Sequence, residues 1–260
     1  MELKNLTLEE RDGIATVTLN RPEKLNAIDY QMRVDFRNLS WELAHRDEIR
    51  LVIFRGAGKA FSVGADLEGL GAEWTPKSFR AHSRILTQFF DDLEALEKPV
   101  IAAINGVCVG AGLELALSCD IRVASEEARL GFPENNIGLI PGVGGCSRLA
   151  RFVGLGRAKD LILTGELISA QEAKEMGLVS YVVEADRLMP KVQEISERLL
   201  SRAPLALGLA KRAISTCMGI DMHSGRVIEG LAQSQLVVTE DKREGIRAFK
   251  AKEKPRFKGR

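Results

Sequence analysis

Polarity alternates with a period of two over residues 3–10 and again over 14–19, with Arg11-Asp12-Gly13 between the runs. Two such runs around a tight turn predict a β-hairpin. Asn20-Arg21-Pro22 breaks the pattern. Over 30–45 the apolar positions Val34, Leu39 and Leu43 follow a helical period. Leu51-Val-Ile-Phe54 is a continuous apolar run, the signature of a strand buried on both faces, and Gly56-Ala-Gly58 turns it. A helix is predicted over 78–96, ended by Lys98-Pro99, and a second buried strand over Val100–Ile104.

Asn105-Gly106 turns the chain again. A Gly-Ala-Gly step at 110–112 opens an apolar helix running to about Cys119. Short strands follow at 121–124 and 128–131. Residues 133–145 hold two prolines and four glycines and predict an irregular loop. Helical patterns then fill 146–152, 156–163, 169–176, 187–201, 204–217, 222–238 and 240–251. Strands alternate with helices to about residue 183 and the remainder is helical, which is an α/β class with a helical C-terminal region.

The 260 residues are 45 % hydrophobic and 28 % charged, enough to bury a sizeable core. Lys plus Arg number 37 and Asp plus Glu 36, a formal charge of +1, so no global field favours nucleic acid or an anionic membrane. The segment from Lys250 to Arg260 is basic, and reads either as a solvated end or as an anchor for an anionic ligand. Cys108, Cys119, Cys146 and Cys217 form no C-x-x-C pair and have no His at zinc-like spacing, which fits core thiols in a reducing compartment. The opening MELKNLTLEE resembles no signal or transit peptide, and no run of about 20 apolar residues exists. The expected location is cytoplasmic, with no membrane partner.

Several motifs fail on single positions. Gly110-Ala-Gly112 would need a third glycine at Leu115 to bind a dinucleotide; Gly58-Lys59 would need Gly at Ile53 and Ser or Thr at Ala60 to be a P-loop. Ser62 lacks the glycine that a nucleophile elbow places at Ala60. His45, His82 and His223 share no motif and read as surface or core histidines, and no metal-ligand cluster is visible.

Three segments remain: Phe61-Ser-Val-Gly-Ala-Asp-Leu67, Asn105-Gly-Val-Cys-Val-Gly-Ala-Gly-Leu-Glu-Leu115, and the loop from Gly131 to Gly145. Small residues let a ligand approach the backbone, and a helix start near residue 111 leaves N–H groups unpaired. Two such groups on one oxygen make an oxyanion hole. Glu114, in the first turn of that helix, and Glu134, after Pro133, are ordinary acids taken singly. Together beside an oxyanion hole they suit proton transfer at a carbon next to a polarised carbonyl.

These residues carry a resemblance. The chain resembles the crotonase, or enoyl-CoA hydratase/isomerase, family nearly end to end. The likeness lies in Asn-Arg-Pro-Glu-Lys-Leu-Asn-Ala at 20–27, Phe-Ser-Val-Gly-Ala-Asp-Leu at 61–67, Lys-Pro-Val-Ile-Ala-Ala-Ile-Asn-Gly at 98–106, Glu-Leu-Ala-Leu-Ser-Cys-Asp at 114–120, Leu-Thr-Gly-Glu at 163–166 and Glu-Gly-Ile-Arg-Ala-Phe at 244–249. It implies a crotonase-like spiral of ββα units over 1–200 and C-terminal trimerisation helices over 201–260. A trimer or a hexamer built from two trimers follows. It implies an acyl-CoA substrate, with coenzyme A entering as part of that substrate and no other cofactor, in reactions such as fatty-acid β-oxidation. The N–H groups of Ala65 and Ala111 would hold the thioester oxygen. Lys24, Leu25, Ala27, Gly64, Asp66, Leu67 and Gly110 would line the CoA and acyl site. Hydratases of the family use two glutamates, and both positions are filled here, by Glu114 and Glu134.

The expected reaction is therefore hydration of a 2-enoyl-CoA. A Δ3-Δ2 enoyl-CoA isomerase, or another lyase or hydrolase of the family, is the alternative, and an RNA-binding member is the reading from another class. Departures from the family pattern fall at Ala111, in a stretch that is often three glycines, at Asn135-Asn136, and at Cys146-Ser147. The 68–80 segment, with Trp74, reads as a variable cover for the acyl group.

Overall fold

Asp12 and Gly13 both have positive φ, 52° and 80°. That is the backbone of a two-residue type I′ turn, whose twist matches the strands it joins. It closes the expected hairpin between β1 (Leu6–Arg11) and β2 (Ile14–Leu19). The computed structural model describes residues 3–71 and 73–260; Met1, Glu2 and Ala72, the last within the 68–80 segment, lie outside the described residues.

Helix α1 (Tyr30–His45) follows, then β3 (Leu51–Gly56), β4 (Ala60–Ser62), α2 (Leu67–Leu70), α3 (Pro76–Ala95), β5 (Val100–Ile104), β6 (Val107–Val109), α4 (Ala111–Ser118), β7 (Ile121–Ser125) and β8 (Arg129–Gly131). A short 3-10 helix spans Pro133–Ile137. Beyond it come α5 (Gly145–Val153), α6 (Leu155–Thr164), β9 (Leu167–Ser169), α7 (Ala170–Glu175), β10 (Tyr181–Val183), α8 (Leu188–Leu200), α9 (Pro204–Cys217), α10 (Met222–Leu236) and α11 (Glu240–Ala251). The strands form two sheets, one ordered β1-β2-β3-β5-β7-β10 and the other β4-β6-β8-β9. From β3 onward the chain lays one strand in each sheet, then a helical stretch, three times over. This is the expected ββα spiral.

Of the second sheet only β8 was expected, from the 128–131 strand. Each of its members is three residues long, too short to display a two-residue period; β4 and β6 follow expected turns, and β9 runs into the helix expected from 169. The large sheet is buried on both faces, which explains the continuous apolar runs at 51–54 and 100–104. Leu188, Val192 and Ile195 of α8 cover Leu51, Ile53, Ile101 and Val123. On the other face Val52, Phe54, Ala102 and Ile104 meet Met32 and Phe36 of α1 and Leu86, Phe89 and Phe90 of α3.

Two amides, Asn26 buried and Asn105 half-buried, fix the sharp passage from one sheet to the other. Asn26 Nδ2 donates to the carbonyls of Ala57 (2.9 Å) and Ala60 (2.8 Å), and its Oδ1 accepts from Arg21 N–H (3.0 Å). Asn105 Oδ1 accepts from Gly56 N–H (3.1 Å), and its Nδ2 donates to Gly58 O (2.9 Å). Asn26 sits at φ 58°, a conformation Asn tolerates better than most residues. Asn26→Ala removes all three bonds and leaves buried groups unpaired, so a loss of about 3 kcal/mol is expected in urea denaturation. A loss below about 0.5 kcal/mol would show that the turn holds without it.

The C-terminal helices are amphipathic without a complete partner. Ile214, Met218, Met222, Leu231, Val238 and Phe249 are all exposed. The basic tail is not simply solvated. Asp241 accepts hydrogen bonds from the backbone N–H groups of Lys258 (2.6 Å) and Gly259 (2.8 Å), and Glu244 accepts one from Arg256 (3.0 Å), so the tail folds back on α11.

Candidate active site

The site begins with an edge-on pairing. Ile28 N–H donates to Gly64 O (2.7 Å), and Asp66 N–H donates to Ile28 O (3.1 Å). In such a parallel bridge the intervening residue, Ala65, directs its own N–H to the opposite side. On that side α4 begins: Gly110 N–H donates to Gly131 O (3.1 Å), and Ala111 is the first helical residue, whose N–H has no intrahelical acceptor. Among the described residues neither Ala65 N–H nor Ala111 N–H has a hydrogen-bond acceptor.

Two glycines bring these segments together. Gly64 has φ +86°, and a Cβ there would lie 2.9 Å from Val109 O and 3.0 Å from Ala111 N. Gly110 has φ +54°, and a Cβ there would lie 3.0 Å from Glu134 Oε1. The bare backbone at 110 is therefore what lets the Glu134 carboxylate reach the start of α4. Ser62 Oγ ties this corner to the 20–28 segment by donating to Asn26 O (2.7 Å) and accepting from Gly64 N–H (3.1 Å).

Glu114 projects from α4, every residue of which is buried. Its Oε1 accepts from Val143 N–H (2.9 Å) and Gly145 N–H (2.7 Å). Burial pushes the Glu114 carboxyl up to about 7; repulsion from Glu134 adds to this, while the two N–H bonds and Arg148 oppose it. Burial also raises Glu134 above the ordinary carboxylate range. Its Oε2 is sealed from solvent without a hydrogen-bond partner among the described residues. Cys146 is exposed rather than a core thiol as expected, and its thiol is pushed up by partial desolvation and by the charges of both carboxylates.

The structure thus joins Ala65, Ala111, Glu114, Glu134, Gly64 and Gly110. The other expected contacts flank this group. Leu25 takes a left-handed conformation at φ 51°, and Leu67 is exposed. Ala27 O accepts from Arg21 Nη1 (2.8 Å). Asp66 is committed to structure: it pairs with Arg21 (2.9 Å) and caps α2 by accepting from Glu68 N–H (3.1 Å). Lys24 lies near the surface, 3.2 Å from Glu68. Asn135 Nδ2 donates to Leu163 O (2.5 Å), so Asn135 ties the loop to α6.

The 68–80 segment is more regular than a loose cover. It contains α2, a turn, and the first residues of α3, which starts at Pro76 behind a Thr75–Ser78 capping box. Trp74 packs on His82 (4.7 Å between rings) and Phe79 (5.8 Å). Residues the sequence reading assigned no role include Asn26, Ser62, Val143, Gly145 and Arg148. Asn26 stands inside the quoted 20–27 motif, but backbone donors such as Val143 leave no side-chain signal.

A separate cavity of about 1080 Å³ is lined by Trp41, Phe89, Lys98, Pro204 and Phe257, between α1, α3 and the tail, with neither Glu114 nor Glu134 on its wall. No group of three or more His, Cys, Asp or Glu among the described residues is placed to share a metal ion. The chemistry on offer is one buried and one half-buried carboxylate beside two backbone N–H groups without acceptors among the described residues.

The Enoyl-CoA hydratase/isomerase family model matches residues 9–260. The chain belongs to that family. It is 42 % identical over 255 residues to a short-chain-enoyl-CoA hydratase of Clostridium acetobutylicum, covering 98 % of this chain and 97 % of that protein. It is 37 % identical over 258 residues to a crotonyl-CoA hydratase of Syntrophomonas wolfei, covering 99 % of each. A crystal structure of enoyl-CoA hydratase from Bacillus anthracis superposes with a TM-score of 0.95 at 39 % identity, covering 99 % of this chain and 100 % of that one. The family assignment and the spiral fold agree with the expectation from sequence.

Proposed function

We propose that the protein is an enoyl-CoA hydratase, adding water reversibly across the 2,3 double bond of a 2-enoyl-CoA thioester. The observation that carries this is the pairing of buried Glu114 with half-buried Glu134, both raised, beside the unpaired N–H groups of Ala65 and Ala111. In this reading the two N–H groups hold the thioester oxygen and stabilise the enolate-like charge that grows in the transition state. Glu114 and Glu134 hold one water. Its oxygen attacks the β-carbon, Glu134 relays a proton to the α-carbon, and Glu114 orients and polarises the water. Coenzyme A enters with the substrate, along the 24–27 and 64–68 segments, and the reaction needs no resident cofactor.

The exposed apolar residues of α9, α10 and α11 support a trimer, or a hexamer of two trimers, through residues 201–260, with 1–200 as the catalytic core. No helix among the described residues is long and apolar enough to cross a membrane. A cytoplasmic enzyme of fatty-acid β-oxidation fits these features.

Purified protein should convert crotonyl-CoA to 3-hydroxybutyryl-CoA faster than it converts but-3-enoyl-CoA to crotonyl-CoA. Isomerisation without hydration would overturn the proposal. The oxyanion-hole assignment has its own test. Gly64→Ala places a methyl group against the backbone of 109–111 at a strained φ. It is expected to lower kcat by about 10²-fold, at a stability cost of about 1–3 kcal/mol. Unchanged kcat in a folded variant would remove Ala65 and Ala111 from the mechanism.

A further inference from the structure

We infer that Arg148 is a positioning residue for Glu114, acting through the backbone turn at 143–145. One face of that turn is turned to the carboxylate: Val143 N–H and Gly145 N–H both donate to Glu114 Oε1. The opposite face is turned to Arg148, whose Nη1 donates to Val143 O (3.3 Å) and whose backbone N–H donates to Gly144 O (2.8 Å). The same peptide segment therefore presents two donors to an anion and one acceptor, Val143 O, to a cation, while Gly144 O takes the ordinary first-turn bond of α5.

Both glycines of the turn are needed for this approach from two sides. A Cβ on Gly144, at φ +119°, would lie 1.9 Å from Arg148 Nη1; a Cβ on Gly145 would lie 2.9 Å from Glu114 Oε1. The Arg148 side chain is buried and anchored on α3, with Nε to Glu94 Oε2 (3.0 Å) and Nη2 to Asp91 Oδ1 (2.5 Å). The anchors are more exposed than the arginine they hold: 57 % for Asp91 and 33 % for Glu94, against 7 %. Arg148 touches no reacting group itself. It holds the donors that hold Glu114, and its charge favours the ionised carboxylate, offsetting part of the upward push of burial.

This inference rests on the reading of Glu114 as a reacting carboxylate, but its test reads Glu114 directly. The Glu114 titration is followed by isotope-edited infrared spectroscopy of the carboxylate band, identified by its loss in Glu114→Gln. In Arg148→Met the titration should move up by about one unit, and Arg148→Lys should recover part of that shift. Asp91→Asn with Glu94→Gln leaves Arg148 in place with less of its charge neutralised, so the titration should move down by about half a unit. The acid limb of the kcat–pH profile should follow each shift, with KM little changed. If Arg148→Met does not fold, the double variant decides alone. A stationary titration, or shifts of the same sign in the two kinds of variant, would mark Arg148 as a structural residue only. Absence of hydratase activity in the wild type would instead overturn the functional proposal and leave the infrared result standing.

Discussion

Glu134→Gln is expected to lower kcat for crotonyl-CoA hydration by about 10³-fold while KM changes by no more than a few-fold. The amide keeps the size and most of the polarity of the side chain but can neither take nor give the proton. Glu134 sits in the 3-10 turn after Pro133, against Gly110, with Oε2 buried and unpaired within the described protein. A buried oxygen of this kind is a cost to the fold, since little in the protein compensates its desolvation. Such a group is expected to serve proton transfer, so the loss should fall on kcat. Steady-state kinetics at saturating crotonyl-CoA give the answer. A kcat within about twofold of wild type would remove Glu134 from the proton path.

Glu114→Gln carries a second signature, in stability. The folded protein raises this carboxyl from its ordinary 4.5 to about 7. A raised acid contributes stability that is fully present below the unfolded pKa and is lost as pH rises through the folded one. At one pKa unit per 1.36 kcal/mol, the wild type gives up about 3 kcal/mol between about pH 4.5 and 7. Gln is neutral throughout and still offers an oxygen to Val143 N–H and Gly145 N–H. The variant should therefore lose kcat by about 10²-fold or more. Against wild type it should gain stability as pH rises, by up to about 3 kcal/mol at about pH 8, with no gain below about pH 4.5. Chemical denaturation of both proteins across that range measures this. A difference independent of pH would show that Glu114 does not titrate as the fold implies.

Long apolar runs and clear periods made most of the fold legible. The hairpin turn at Asp12-Gly13, α1 over 30–45, and the buried strand over 100–104 all follow from local pattern. Strands β4, β6, β8 and β9 obey a different logic: each is three residues of backbone pairing whose partners lie in other turns of the spiral. No local period can reveal them, and of the four only β8, within the expected 128–131 strand, was anticipated. Within the site, the two glutamates were visible as candidates only through their pairing beside the glycine steps, since each is an ordinary acid taken singly. The roles of Val143, Gly145 and Arg148 were not. They depend on a loop 29 to 31 residues beyond Glu114 folding back onto it, and on an arginine anchored 54 and 57 residues away on α3. The part played by Asn135 was open in the sequence for the same reason: its amide is spent on a carbonyl of α6, 28 residues on.

The central claim is that one water, held by Glu114 and Glu134, is added across the substrate double bond while Ala65 and Ala111 hold the thioester oxygen. It is tested most directly by running crotonyl-CoA with the wild-type protein in ¹⁸O-labelled heavy water and reading the product by mass spectrometry and NMR. The predicted result is 3-hydroxybutyryl-CoA with one solvent oxygen at C3 and one solvent deuterium at C2, formed at least about 10²-fold more slowly by Glu114→Gln and by Glu134→Gln. Solvent deuterium in the recovered enoyl thioester with no solvent oxygen in any product would contradict it, because the carboxylates would then move protons without delivering water.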